Sequence, residues 1–265
     1  MAYNGPIPSM LRCSSTFLFR PNLLSGCRHF PLVVCPRRNR EYDRTLITEI
    51  MSPPSNSNVR GYVLAGGGSS RFGRDKALVC FGATPLLRQI VQLAQTCASD
   101  VTVVANAQKY RDLAANLEII EDQWPGEGPL GGIITALQHT AATDRSAEWN
   151  LILSCDMPFL TAGWLQFLVT HAREANKEIQ VILPHSAHGP EPLCACYRTS
   201  AADPLKNVFD RGVRKVTQAL EEVRTEVLDE SVWKRFDSAG HLFWNMNTPA
   251  DFEEAQRLWE TKNSE

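Results

Sequence analysis

No run of about 18 apolar residues occurs in this 265-residue chain, so no membrane-spanning helix is expected. No charge of one sign dominates: 27 basic and 29 acidic residues leave a net charge of −2, which argues against a surface built for nucleic acid. Thiolate metal spacing is missing too. The eight cysteines (Cys13, Cys27, Cys35, Cys80, Cys97, Cys155, Cys194 and Cys196) include no Cys-x-x-Cys pair, and no histidine spacing suits zinc. Several of these cysteines sit inside apolar runs, as structural thiols do, so a reduced compartment and no disulfide framework are expected. Residues 61–260 hold no internal repeat and no low-complexity tract. What is left, 43% hydrophobic and 21% charged, is ordinary globular composition, enough for one large domain or two small ones.

Lysine is absent from residues 1–50, which carry seven arginines and three acids, all at Glu41 or later. Without them, 20 basic and 26 acidic residues remain, a balance of −6 that makes a nucleic-acid surface less expected still. Arg, Ser, Pro and Phe here follow no sustained period, and the lack of early acids resembles an organelle transit peptide. The competing reading starts a cytoplasmic enzyme at Met51 and treats the upstream part as an extended translation of noncoding sequence; a folded extension is the third reading. In each case residues 1–58 are set aside as a disordered N-terminal extension, and 59–262 are expected to form a single domain. A cytoplasmic location is expected, with an organelle as the alternative.

The rest of the chain is organised around Gly61-Tyr-Val-Leu-Ala-Gly-Gly-Gly-Ser-Ser-Arg-Phe-Gly-Arg-Asp-Lys-Ala77. An apolar run that stops at Ala65 and gives way to Gly66, Gly67 and Gly68 reads as a buried strand feeding a phosphate-binding loop. Glycine lets the backbone approach a ligand, and successive N–H groups form an anion-binding concavity. Arg71 and Lys76 add positive charge where phosphate charge would gather. No Gly-Lys-Ser/Thr follows, so this is not the P-loop. Arg71 stands where a dinucleotide fingerprint needs its third glycine.

Strands and helices then alternate. Thr84-Pro85 reads as an N-cap and first turn, followed by Leu87, Ile90, Val91, Ala94 and Ala98 at helical spacing. Strands are expected at Asp100–Ala105, Leu117–Ile120, Trp149–Ser154 and Ile179–Pro184, with helices at Lys109–Asn116, from Gly131 to Ala142 and from Thr161. The second half is less regular: a strand at Pro192–Tyr197, helices at Ser200–Phe209 and Val216–Val223, a strand at Arg224–Leu228, and a closing helix capped by Thr248 with Pro249 at its first position. This alternation predicts an α/β fold with a mostly parallel central sheet covered by helices on both faces. In such sheets ligands bind beyond the carboxyl ends of the strands, where Asn106, Asp122 and Asp156 fall beside the glycine loop. Asp156, just past an apolar strand, is suited to Mg2+, which takes one or two carboxylates and completes its shell with phosphates and water. Capping and turn chemistry explain each of these polar residues singly.

Leu64-Ala-Gly-Gly-Gly-Ser-Ser-Arg-Phe-Gly-Arg-Asp-Lys-Ala77 closely resembles the opening signature of the molybdenum cofactor guanylyltransferases, with Phe72 in place of the usual Met. Cys155-Asp-Met-Pro158 matches the family's metal-binding segment. Gly126-Glu-Gly-Pro-Leu-Gly-Gly132 resembles the segment that lies by the nucleotide, and His188-Gly-Pro-Glu-Pro-Leu193 and Asn245-Met-Asn-Thr-Pro249 resemble the segments on the acceptor side. The resemblance covers about residues 60–260 and implies a Rossmann-like, GT-A-type nucleotidyltransferase fold. It implies nucleotide contacts from Leu64, Ala65, Gly66, Gly67, Gly68, Lys76, Asn106, Asp122 and Asp156, and catalytic roles for Lys76, Arg71 and Asp156. It further implies Mg2+ on Asp156, and an acceptor side at His188, Glu191, Asn245 and Asn247. Arg211, Arg214 and Lys215 are further candidates for the acceptor phosphate, although such charges more often form a solvated face. GTP and molybdenum-molybdopterin are then the substrates, with molybdoenzymes or other cofactor-biosynthesis proteins as partners, and neither nucleic acid nor membrane. Cytidylyl transfer to the same pterin and nucleotidyl transfer to a sugar phosphate are the near alternatives. A non-catalytic carrier of the cofactor is the distant one, and Mg2+-dependent pyrophosphate release separates it from an enzyme.

Overall fold

In the computed structural model of the chain, residues 58–66, 75–110 and 117–262 are described. Strand β1 (Val59–Leu64) is buried along its whole length. Val59 and Val63 face one apolar layer, Tyr62 and Leu64 the other, the period-2 alternation of a strand covered on both sides. A 3-10 turn (Lys76–Leu78) leads to a small hairpin, β2 (Cys80–Phe81) and β3 (Thr84–Pro85), then α1 (Leu86–Ala94), β4 (Val101–Val104) and β5 (Glu118–Ile120). Next come α2 (Pro129–Thr143), β6 (Trp149–Ser154), α3 (Ala162–Glu174), β7 (Val181–Ser186), β8 (Gly189–Pro190) and β9 (Cys194–Arg198). The chain continues through α4 (Ala202–Asp210), α5 (Val216–Ala219), β10 (Thr225–Leu228), α6 (Glu230–Trp233) and α7 (Pro249–Lys262).

The main sheet runs β10-β7-β9-β6-β1-β4-β5, with β8 paired to β7 off this path. Every neighbour on the path is parallel except at β9, which is antiparallel to both β6 and β7. One face is covered by side chains of α1, α3 and α7, among them Leu87, Ile90, Trp164, Leu168 and Phe252. The other is covered by α2, α4 and α5, through Leu130, Ile133, Leu137, Leu205, Val208 and Val216. This is the mostly parallel, doubly covered sheet that the alternation predicts.

Local details depart from the sequence reading for identifiable reasons. Thr84 does not cap α1: it pairs with Phe81 in the hairpin, and the Gln89 side chain donates to the carbonyls of Phe81 and Thr84 at 2.8 Å each. Helix α2 starts at Pro129, two residues before the expected Gly131, because proline suits a first helical turn. The strand expected at Asp100–Ala105 is present over Val101–Val104, whereas most of the expected Lys109–Asn116 helix lies outside the described residues. Thr161 caps the helix expected to start there, and Thr248 caps as expected, in a reciprocal box: Asp251 N–H donates to Thr248 Oγ1, and Asp251 Oδ2 accepts from the Thr248 and Asn247 N–H groups.

The hairpin matters because it follows Lys76 directly and is clamped by α7. Phe81 packs edge-on against Phe252 and Trp259, with ring centroids 5.5 and 6.5 Å apart. Gly82 turns the hairpin at φ +64°, and a Cβ there would meet Trp259 Cη2 at 2.8 Å. Gly82→Ala is therefore expected to lower stability by about 1–3 kcal/mol, through backbone strain and overpacking together. Urea unfolding checks this, and an unchanged midpoint would remove the clamp from the account.

Candidate active site

The registers of four strands put their polar ends side by side. Leu64 of β1 is level with Val104 of β4 and Ser154 of β6, and Val104 is level with Ile120 of β5. All four run in the same direction, so the residues that follow them emerge at one sheet edge: Ala65-Gly66, Ala105-Asn106, Glu121-Asp122 and Cys155-Asp156. The chain runs outward from β1 to β4 and β5, then returns to β6 on the other side of β1. That reversal is the topological switch point at which doubly wound sheets bind ligands. A cavity of about 470 Å3 opens there, lined by Leu64, Ala65, Gly66, Lys76, Asn106, Asp122 and Asp156 among others. Gly67, Gly68 and Arg71 lie outside the described residues.

The fourth wall is the start of α2. Gly128, at φ 89°, turns the chain into the helix, and Gly128, Pro129 and Gly132 face the cavity. A fifteen-residue helix that begins at such a cavity presents unpaired N–H groups and the positive end of its dipole, a setting for phosphate or carboxylate. Two glycines allow this close docking. A Cβ on Gly132 would meet Leu64 Cδ1 at 3.3 Å, and one on Gly131 would meet Trp124 Cβ at 3.0 Å. Asp122 holds the preceding loop, its Oδ1 accepting from Trp124 N–H at 3.0 Å. Asn106 Oδ1 accepts from the N–H groups of Gln108 and Lys109, so its carboxamide oxygen shapes the turn after β4.

Opposite charges meet at the centre. Lys76 Nζ lies 3.6 Å from Asp156 Oδ2, and the two side chains are only 18% and 20% exposed. Asp156 Oδ1 accepts from Ser154 Oγ at 2.6 Å. Little water reaches this pair, so its charges act on a ligand with less screening than at an open surface. Among the described residues no group of three or more His, Cys, Asp or Glu side chains is arranged to hold a metal ion. Asp156 alone fits a hard cation that brings phosphate and water oxygens as its other ligands, as Mg2+ does. Cys155, buried beside it, has its thiol pushed well above the usual range by burial first and then by the neighbouring Asp156 and Asp75 carboxylates. It stays protonated and is no nucleophile.

The antiparallel β9 brings the second half of the chain to the same edge. Leu153, near the end of β6, pairs with Cys194 at the start of β9, so the segment before Cys194 rises beside Asp156. That segment carries Glu191, which is 6% exposed and accepts from Ser186 Oγ at 2.6 Å. The stretch from His241 to Thr248 reaches the site as well: Met246 N–H donates to the Asp156 carbonyl at 3.1 Å, and Lys76 Nζ donates to Asn247 Oδ1 at 3.3 Å. Asn245 hydrogen-bonds Glu191. Asn247 thus joins Lys76 through its side chain, while Asn245 and Glu191 meet each other. His188 stands apart on the exposed β7–β8 turn, its N–H donating to Ser186 Oγ at 3.0 Å. Arg211 pairs with Glu222, and Arg214 pairs with Glu127 while stacking 3.9 Å over the Phe209 ring.

Burial pushes the Glu191 carboxyl above its ordinary value of 4.5, against the hydrogen bonds from Ser186 and Asn245. A carboxyl raised in the folded state supports stability below its unfolded pKa, and that support is lost as pH rises through the folded value. Glu191→Gln should therefore melt higher than the wild-type chain at pH 7, with the gap closing near pH 4. A gap independent of pH would show that the carboxyl is not perturbed.

Cavity, helix start and strand ends together define a nucleotide-binding α/β protein, and the Lys76–Asp156 pair adds the charges that phosphoryl chemistry needs. The model of the MobA-like NTP transferase domain matches residues 61–223. A protein of Trichormus variabilis named "probable molybdenum cofactor guanylyltransferase" is 33% identical over 196 residues, 74% of this chain and 89% of the relative. A protein of the same name from Chloroflexus aggregans is 34% identical over 214 residues, 79% of this chain and 99% of its own. Among solved structures, molybdopterin-guanine dinucleotide biosynthesis protein A of Archaeoglobus fulgidus superposes with a TM-score of 0.66 at 26% identity, covering 76% of this chain and 99% of that one. The chain belongs to the MobA-like NTP transferase family, and it is a nucleotidyltransferase.

The sequence reading did not single out Lys109, Tyr110, Ser154 or Leu193, which also line the cavity, and gave Asp75 no role. Asp75 lies inside the quoted motif, next to Lys76. Lys109 and Tyr110 follow Asn106 closely, but nothing in their spacing points at a residue 34 positions earlier.

Proposed function

We propose that this protein transfers GMP from GTP to molybdenum-molybdopterin, forming molybdopterin guanine dinucleotide and pyrophosphate. The observation that carries the reading is the Lys76–Asp156 pair at the centre of the strand-end cavity, with Asn247 reaching Lys76 from the acceptor side. The names of the relatives support the choice of guanine and pterin.

The backbone of Gly66 to Gly68 and the start of α2 would hold the triphosphate, and Arg71 and Lys76 would offset its charge. Asn106 and Asp122 lie toward the nucleoside. Glu191, Asn245 and Asn247, with His188 at the rim, present the acceptor. A phosphate oxygen of the acceptor attacks the α-phosphorus in line, the bond to the β-phosphate oxygen breaks, and pyrophosphate leaves. Lys76 stabilises the charge that grows on the phosphate oxygens as that bond breaks. Asp156 would hold Mg2+, which supplies charge neutralisation at the phosphates. Catalysis is then positioning and electrostatics, with no covalent protein intermediate.

We assign the transferase to residues 59–262 as one domain. No helix among the described residues is long and apolar enough to cross a membrane. Free cysteines at Cys80, Cys97, Cys155, Cys194 and Cys196 support a reducing, cytoplasmic setting. Molybdoenzymes are the expected recipients of the product.

The test is pyrophosphate release with GTP or CTP, with and without molybdenum-loaded molybdopterin. Release that needs GTP and the pterin together is expected. Release with CTP would move the protein to cytidylyl transfer, and none with either, despite nucleotide binding, would favour a carrier.

A further inference from the structure

We propose that Lys109 is a further phosphate-binding cation of this cavity, and that Asp75 is the positioning residue that holds it there while fixing the turn that carries Lys76. The inference rests on the nucleotide reading of the cavity.

Asp75 precedes the Lys76–Leu78 turn, and its carboxylate draws partners from two separate parts of the chain. Oδ1 accepts from Ala77 N–H at 3.0 Å, which caps the turn. Oδ2 accepts from the Tyr110 hydroxyl at 2.9 Å and from Lys109 Nζ at 2.6 Å. The Asp75 side chain is 12% exposed, and Tyr110 is 1% exposed. Burial, and then the bond to Asp75, push the Tyr110 hydroxyl well above its usual range, so it remains a donor. Asp75, Lys76, Lys109 and Tyr110 all line the cavity.

The simpler reading makes Asp75 a turn cap and Lys109 a solvated lysine. A cap, however, uses one carboxylate oxygen, and here the other receives two donors from the segment after β4. A solvated lysine gains little from one exposed partner, whereas this one is drawn to a largely buried carboxylate on the wall of a cavity. The Lys109 side chain is 47% exposed and lines the cavity. An ammonium group has three donors, so it can keep Asp75 on one and offer the others to phosphate oxygens. A triphosphate carries more negative charge than Lys76 and Arg71 together offset. Asp75 also ties the end of the glycine loop to the segment after β4, so both lysines approach the phosphates from fixed points.

The experiment is GTP binding by calorimetry, compared with guanosine, for the wild-type chain, Lys109→Ala, Asp75→Asn and the double variant. Asparagine keeps the oxygen that caps Ala77 but removes the acceptor of Tyr110 as well as that of Lys109, so Tyr110→Phe is the control: a structural role alone predicts that it weakens GTP as much as Asp75→Asn does, whereas our account predicts near-wild-type binding. On our account Lys109→Ala weakens GTP about tenfold or more and leaves guanosine unchanged, as loss of a charge-assisted hydrogen bond would. Asp75→Asn weakens GTP similarly, and the double variant is no worse than Lys109→Ala, because both act through one contact. Wild-type GTP affinity in Lys109→Ala overturns the inference, as do losses that multiply in the double variant. Should Asp75→Asn fail to fold, the half-exposed Lys109→Ala still decides. A wild-type chain that binds no GTP would instead overturn the nucleotide reading itself.

Discussion

Asp156→Ala should abolish nucleotidyl transfer, a fall of at least about 10³-fold in kcat, while the protein still folds and melts within a few degrees of wild type. Its carbonyl, which anchors Met246 N–H, survives the substitution. What is lost is the carboxylate: the Oδ1 that accepts from Ser154 and the Oδ2 that faces Lys76. The carboxylates then left in the cavity are already engaged, Asp75 by Lys109 and Tyr110 and Asp122 by Trp124 N–H. Asp156→Asn is the sharper control, since it retains an oxygen for Ser154 but no negative charge, and it should be nearly as inactive. Turnover in Mg2+ by either variant would remove Asp156 from the metal role.

Lys76→Ala should cost about 2–4 kcal/mol of transition-state stabilisation, roughly 30- to 10³-fold in kcat, as removal of one preorganised donor does elsewhere. The ammonium lies 3.6 Å from Asp156 and 3.3 Å from Asn247 Oδ1, where nucleotide and acceptor would meet. A group in that position acts on charge that develops during transfer, so the loss belongs in kcat. A change confined to KM would instead mark Lys76 as a residue that binds ground state and transition state alike. Asn247→Ala would release the far end of the same contact, and a smaller loss of the same kind is expected from it.

The sequence shows the nucleotide half of the site more clearly than the acceptor half, for a physical reason. Strands β1, β4, β5 and β6 are apolar runs that break off into Gly, Asn or Asp, and parallel pairing places such ends together whatever the exact register. Strand direction carries no comparable signal. The Cys194–Arg198 segment is apolar like its neighbours, and its antiparallel course, which delivers Leu193 to the cavity, follows from pairing with β6 and β7. The hairpin at Cys80–Pro85 has two-residue strands, too short for any periodicity, so Thr84-Pro85 reads as a helix cap. Lys76 and Asn247 are 171 residues apart, and only the resemblance of their separate motifs linked them. The Asp75–Lys109 contact had no such link and became visible in three dimensions alone.

The most direct measurement follows the α-phosphate of GTP. The protein is mixed with Mg2+, molybdenum-loaded molybdopterin and GTP labelled at the α-phosphorus, and the products are separated. The account predicts that label moves onto the pterin in step with pyrophosphate release, that none stays on the protein, and that labelled CTP gives no product. Label left wholly on GTP despite saturating nucleotide, or label bound covalently to the chain, would contradict it.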